Sequence, residues 1–292
     1  MNVSCDGNIV TVDGVKDFRL SQILECGQCF HFDKLDDEVY EVIAFGRAVK
    51  MEQSGGVLRI FYDTDKRTFE DIWVDYFDLE RDYGAIKRAI LRKDDKLKAP
   101  MDMMWGIRIL NQSFFETMIS FIISQNKNIP QIKQCVKNIS HRFGDEVIGY
   151  NGEAFYVFPD VDRLHEVTED ELRECKVGFR APYIMNATEA VYSGNVTKEK
   201  LDALDIEQAR ELLMTIKGVG EKVANCVLLF GLGRREAFPV DVWMKRIMES
   251  MYFDGKDTKK LEIEAFAVKK FGNLGGYAQQ YLFDYARTTL FK

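Results

Sequence analysis

At 292 residues, with 46% hydrophobic and 30% charged residues and 5 prolines, the chain is long enough for two cores and too apolar to stay disordered. A net charge of −7 excludes polyanion binding through a global positive field, so any such site must be local, built from backbone amides and a few cations on one face. No apolar run approaches a membrane span, and Met1 to Val10 shows no basic segment followed by an apolar stretch. The expectation is an intracellular protein with no membrane contact, cytoplasmic or at the nucleoid if prokaryotic.

The first third is strand-like. Cys26 and Cys29 form a CxxC close to His31, but no second ligand pair at zinc spacing follows, so free thiols in a reducing compartment are expected. Val39 to Phe45 is rich in β-branched and aromatic residues. Ala48 to Glu52 and Val57 to Tyr62 flank Ser54-Gly55-Gly56, a hairpin turn. An antiparallel sheet within about the first 65 residues is therefore predicted.

Helix takes over from about Phe69. Arg92 to Lys98, ahead of Pro100, reads as a linker or a solvated helix end, which divides the chain into 1–98 and 99–292. Phe114 to Ser124 carries apolar residues wide enough for a buried helix. Ile132, Val136 and Ile139 continue a helical spacing after Pro130, a residue suited to a first turn. No cysteine follows Cys226, which excludes a C-terminal four-cysteine iron–sulfur cluster.

The informative stretch runs from Asp205 to Arg246. Asp205 is placed as an N-cap with Gln208 at N3, and Ile206, Ala209, Leu212, Leu213 and Ile216 recur at helix spacing. Gly218 and Gly220 break that helix, and Glu221 begins another. Such a hairpin brings backbone amides close to an anion, although a glycine turn between helices also arises as simple αα-hairpin geometry. Lys222 falls in the first turn of the second helix, where a cation opposes the dipole by roughly 0.3–1 kcal/mol. That position suits a neutral, nucleophilic amine better than a structural lysine. Alone, Lys222 reads as a surface lysine and Asp241 as an N-cap. Their separation fits one helix and a return loop, so both can face one pocket.

The run KGVGEKVANC (217–226) followed by PVDV (239–242) resembles the helix-hairpin-helix glycosylases with a Gly/Pro-rich loop and an aspartate. Within that superfamily the chain is most similar to the 8-oxoguanine DNA glycosylases. Cys26–Phe30, Asp75–Leu79, Ser120–Ile129, Gly178–Tyr183 and Gly276–Phe283 match in family order. The resemblance implies an α+β fold, with an N-terminal antiparallel β-sheet domain packed on a larger all-α helix-hairpin-helix domain. It implies a bifunctional glycosylase and abasic-site lyase acting as a monomer on duplex DNA containing 8-oxoguanine. Lys222 matches the nucleophile, and Asp241 the catalytic aspartate that stabilises an oxocarbenium-like state. The base must first leave the stack. Asn126 matches the residue that fills the vacated space, Phe283 the aromatic that stacks on the flipped base, Gln279 the reader of its Watson–Crick edge and Cys226 a pocket wall. Gly27 matches the discriminator, whose carbonyl accepts the N7–H that guanine lacks. Gly218 and Gly220 match the DNA-binding hairpin.

Two departures stand out. Gln131 occupies a position that usually holds an arginine for the estranged cytosine, while Arg180 retains the second such arginine with Phe179 in place of a frequent tyrosine. Trp243 stands where a histidine is common, so the 5′-phosphate contact differs. The resemblance implies no catalytic metal and no cofactor, and a structural cation at the hairpin carbonyls. Alternatives are a related glycosylase for another damaged base, against which Gly27, Gln279 and Phe283 count, and a non-catalytic DNA-binding hairpin, which leaves Lys222 and Asp241 unexplained.

Overall fold

A computed structural model describes residues 1–61 and 65–290. Six strands, β1 (Asn2–Asp6), β2 (Ile9–Asp13), β3 (Phe32–Asp36), β4 (Val39–Ala44), β5 (Arg47–Ser54) and β6 (Val57–Phe61), form one sheet in the order β1-β2-β6-β5-β4-β3. Every neighbouring pair is antiparallel. The register lines up Val10, Ile60, Met51 and Tyr40 across four strands, and all four are buried. Alternation along each strand thus builds one apolar face. Phe18, Leu20, Ile23, Trp73 and Phe77 complete that core.

The three strands foreseen in the sequence are present. β4 stops at Ala44 because Phe45 and Gly46 both adopt positive φ, 50° and 73°, closing a two-residue hairpin of the primed type. Tyr62, expected at the end of β6, lies outside the described residues.

The larger unit is helical around a second core. Its main elements are α1 (Phe114–Ile123), α2 (Ile129–Phe143), α3 (Ala181–Tyr192), α4 (Ile206–Met214), α5 (Glu221–Cys226), α6 (Val242–Tyr252) and α7 (Gly275–Tyr285). It is not purely helical: β7 (Glu146–Ile148) and β8 (Ala154–Tyr156) form a hairpin between α2 and α3. Gly144, Gly149 and Gly152 interrupt any helical run there, and Gly152 takes φ 78° in the turn. Arg92 to Lys98 is packed. It ends one helix and begins another, Leu97 is fully buried, and Asp94 accepts from Tyr252 Oη at 2.7 Å. Cys26 and Phe30 of the N-terminal third sit in the helical core, which brings their loop to the face of α7.

Candidate active site

The hairpin forms as its residues dictate. Asp205 caps α4, its Oδ1 accepting from Gln208 N at 2.9 Å, while Gln208 Oε1 accepts from Asp205 N at 3.4 Å. Gly218 takes φ +91°, and a Cβ there would lie 2.3 Å from the Tyr183 ring, so no other residue fits. Gly220, the N-cap of α5, has extended backbone, and a Cβ would meet nothing within 4 Å. Gly218 therefore serves packing, and Gly220 leaves an open approach to the amides behind it. α5 continues as a π-helical turn, Val227–Gly231, which sets Phe230 against Phe121 at 5.4 Å with rings nearly parallel.

Lys222 projects from the first turn of α5. Its Nζ donates to Ser124 Oγ at 2.9 Å and lies 4.9 Å from the centre of the Phe121 ring. Ser124 in turn donates to Phe121 O at 2.7 Å. The amine is thus held by a neutral hydroxyl and a π face. Asp241 caps α6, its Oδ1 accepting from Met244 N at 2.8 Å. No ion pair joins Lys222 to Asp241 among the described residues, yet both line one cavity of about 340 Å³.

That cavity also gathers Gly27, Cys226, Gln279, Phe283 and Trp243. Gly27 takes φ +79°, and a Cβ would stand 3.2 Å from Ile129 Cδ1 and 3.4 Å from Phe283 Cε1. A side chain there would be strained and would intrude between those groups, so glycine leaves its carbonyl approachable. Gln279 is buried; its Nε2 donates to Pro239 O at 3.3 Å, and its Oε1 has no partner. An orphaned buried acceptor costs about 1–3 kcal/mol, which a ligand donor would recover. Burial pushes the Cys226 thiol up to about 11, against the pull of the Lys222 charge, so it is a neutral pocket wall at neutral pH. Trp243 is half-buried, with Arg246 over its ring at 5.4 Å.

The remaining candidates stand outside the cavity. Asn126 is exposed at φ +53°, just past the end of α1, so it turns the chain and presents its amide together. Gln131 is exposed, but its Oε1 accepts from Asn128 N at 3.1 Å in a capping box, which commits the amide oxygen to the start of α2. Arg180 differs from an outward-facing reader. It is buried, Nη1 donates to Val177 O at 3.0 Å, Nη2 donates to Gln125 O, and Nε has no partner. Phe179 covers it, ring centre 4.2 Å from the guanidinium, and is itself 49% exposed.

Three side chains had no assigned role in the sequence reading. Ser124 gave no local sign of its contact with Lys222. Gln125 joins three segments, donating to Gly218 O at 3.0 Å while its own carbonyl accepts from Arg180, so it ties the hairpin to the Asn126 turn. Arg287 lines the cavity, and here a signal existed, since it lies one helical turn beyond Phe283. Among the described residues, no group of three His, Cys, Asp or Glu side chains is disposed to hold a metal. At the hairpin, Ile216 O accepts from Val219 N and Gly218 O from Gln125, so each offers a cation only its remaining lone pair.

Comparison with known proteins bears on this geometry. A family model described as the 8-oxoguanine DNA glycosylase N-terminal domain matches residues 12–118. A second, described as the HhH-GPD superfamily base excision DNA repair protein, matches residues 119–272. A probable N-glycosylase/DNA lyase from Methanothermobacter thermautotrophicus is 33% identical, over 82% of this chain and 82% of its own. The N-glycosylase/DNA lyase OGG1 of Arabidopsis thaliana is 30% identical, over 88% of this chain and 74% of its own. Among solved structures, the Clostridium acetobutylicum 8-oxoguanine glycosylase/lyase, in complex with double-stranded DNA containing cytosine opposite 8-oxoG, superposes with a TM-score of 0.94. It is 41% identical and covers 98% of each chain.

Proposed function

The chain belongs to the HhH-GPD superfamily of base excision DNA repair proteins, among its 8-oxoguanine DNA glycosylases, and from that premise we propose how the cavity works. The protein excises 8-oxoguanine from duplex DNA and nicks the strand as an abasic-site lyase. The observation that carries the assignment of roles is that Lys222, Asp241 and the orphaned acceptor of Gln279 line one cavity.

In this reading the lesion is extruded and stacks on Phe283 against Cys226. Its N1–H and exocyclic amine face Gln279 Oε1, and Gly27 O accepts from N7–H. Asn126 fills the vacated stack, and Gly220 admits the backbone to the hairpin amides. As the bond from C1′ to the base N9 breaks, positive charge gathers on the sugar, and the Asp241 carboxylate stabilises it. Lys222 forms the new bond from Nζ to C1′; the base leaves with a proton, and the sugar ring opens to an imine. Loss of the C2′ proton then expels the 3′ phosphate. These steps use no cofactor. A cation at the hairpin would organise backbone there and takes no part in bond making. As a DNA repair enzyme it is expected to act where the cell's DNA is, and as a monomer. No helix among the described residues is long and apolar enough to cross a membrane.

A set of duplexes, each with one damaged base, tests the assignment. Cleavage confined to the 8-oxoguanine duplex supports it; preferential cleavage at an alkylated purine or thymine glycol contradicts it. Ser124→Ala should leave the fold intact and slow borohydride trapping about tenfold, the scale of one lost hydrogen bond to a charged group. A trapping rate equal to that of the parent would show that Ser124 does not position the amine.

Opposite-base preference follows from Gln131 and Arg180. An arginine fork offers charged donors to the acceptors of an unpaired cytosine, whereas Gln131 is neutral and its oxygen is already committed to the Asn128 cap. A good bidentate contact discriminates by roughly 1–3 kcal/mol. Single-turnover rates opposite cytosine, adenine, guanine and thymine are therefore expected within about tenfold of one another, and Gln131→Arg should raise the rate opposite cytosine selectively. Strong cytosine preference in the parent protein would mean that Arg180 swings out on DNA and suffices.

A further inference from the structure

If the cavity takes 8-oxoguanine as proposed, Arg287 is a charged side chain in the base pocket that the mechanism does not use. Arg287 follows Gln279 and Phe283 on the same face, where α7 passes into a π-helical turn, Ala286–Leu290, and it lines the same cavity. Its Nη2 donates to Glu25 O at 2.8 Å, two residues before Gly27, and to Asp284 Oδ1 at 2.5 Å. These contacts fix the guanidinium at the Gly27 end of the cavity. Burial pushes the neighbouring Cys26 thiol up to about 12, so that thiol stays neutral and Asp284 is the carboxylate that balances Arg287. Nε is buried with no partner, and Nη1 makes no hydrogen bond among the described residues. The side chain is tethered on one edge and uncommitted on the other.

8-Oxoguanine differs from guanine at two adjacent atoms. N7 gains a hydrogen, and C8 carries an oxygen in place of a hydrogen. A carbonyl suits the first and a donor suits the second. Gly27 supplies the carbonyl. We propose that Arg287 reads the second atom, its Nη1 donating to O8 of the extruded base. The pair then presents an acceptor and a donor to the N7–H and O8 edge. Guanine fails both: its N7 lone pair faces a carbonyl, and its C8–H leaves the guanidinium desolvated and unpaired.

The test compares base excision with nicking of a preformed abasic site, which presents no base to read. Arg287→Met should lower the ratio of 8-oxoguanine excision to abasic-site nicking by about ten- to a hundredfold, the scale of a hydrogen bond to a charged group. Arg287→Lys, which keeps the charge beside Asp284 but not the planar fork, should fall between. Because Met would leave Asp284 buried and unpaired, an Arg287→Met, Asp284→Asn double variant repeats the measurement without a stranded charge. An unchanged ratio in the double variant overturns the proposal, and so does equal loss of both activities. Failure of the parent protein to excise 8-oxoguanine would instead contradict the function on which the proposal rests.

Discussion

Lys222→Gln should bind an 8-oxoguanine duplex, form no borohydride adduct and lose strand nicking by about 10³-fold or more, the scale on which removal of a nucleophile acts. The geometry makes this a clean substitution. A glutamine is uncharged and keeps most of the lysine stem in the first turn of α5, ending one bond short of the Nζ that donates to Ser124 Oγ. What is lost is the amine and its contact with the Phe121 ring. Gel-resolved trapping beside a binding isotherm reads both halves. Abundant adduct from the Gln variant would move the nucleophile to another amine.

Asp241→Asn is expected to slow single-turnover base release by about 10²- to 10³-fold, as loss of one preorganised charge does. Stability should change little. Asp241 Oδ1 caps Met244 N, and asparagine caps as well as aspartate. The two roles of this residue therefore separate: the cap survives the substitution and the negative charge does not. Nicking of a preformed abasic site should suffer less, since no base has to leave. A folded variant that releases the base at close to the parental rate would remove Asp241 from the chemistry.

Local features of this site were legible in the sequence because they are set by neighbours in the chain. The glycines at 218 and 220, the spacing of Lys222 and Cys226, and the caps at Asp205 and Asp241 each depend on residues within one or two turns. The three foreseen strands were visible for the same reason, as β-branched and aromatic runs beside a glycine turn. Strands β1, β2 and β3 were not singled out, and the β7–β8 hairpin was absorbed into a domain expected to be all helix. Contacts across the fold were the hidden part. Ser124 and Lys222 are 98 residues apart, and Gln125 and Gly218 are 93 apart. Nothing near Ser124 or Gln125 marks either as a partner of the hairpin. Arg180 shows a second limit. The family motif assigns it to base reading, and its guanidinium also donates to the Val177 and Gln125 carbonyls, contacts that the motif does not show. A charged side chain takes the acceptors within reach, and sequence does not say which those will be.

In this mechanism a covalent bond joins Lys222 to the lesion sugar. It is tested most directly by reducing the parent protein with borohydride on an 8-oxoguanine duplex and mapping the modified peptide by mass spectrometry. One dominant adduct on Lys222 is expected, absent with an undamaged duplex. An adduct on a different residue, or base release with no adduct at all, would contradict it.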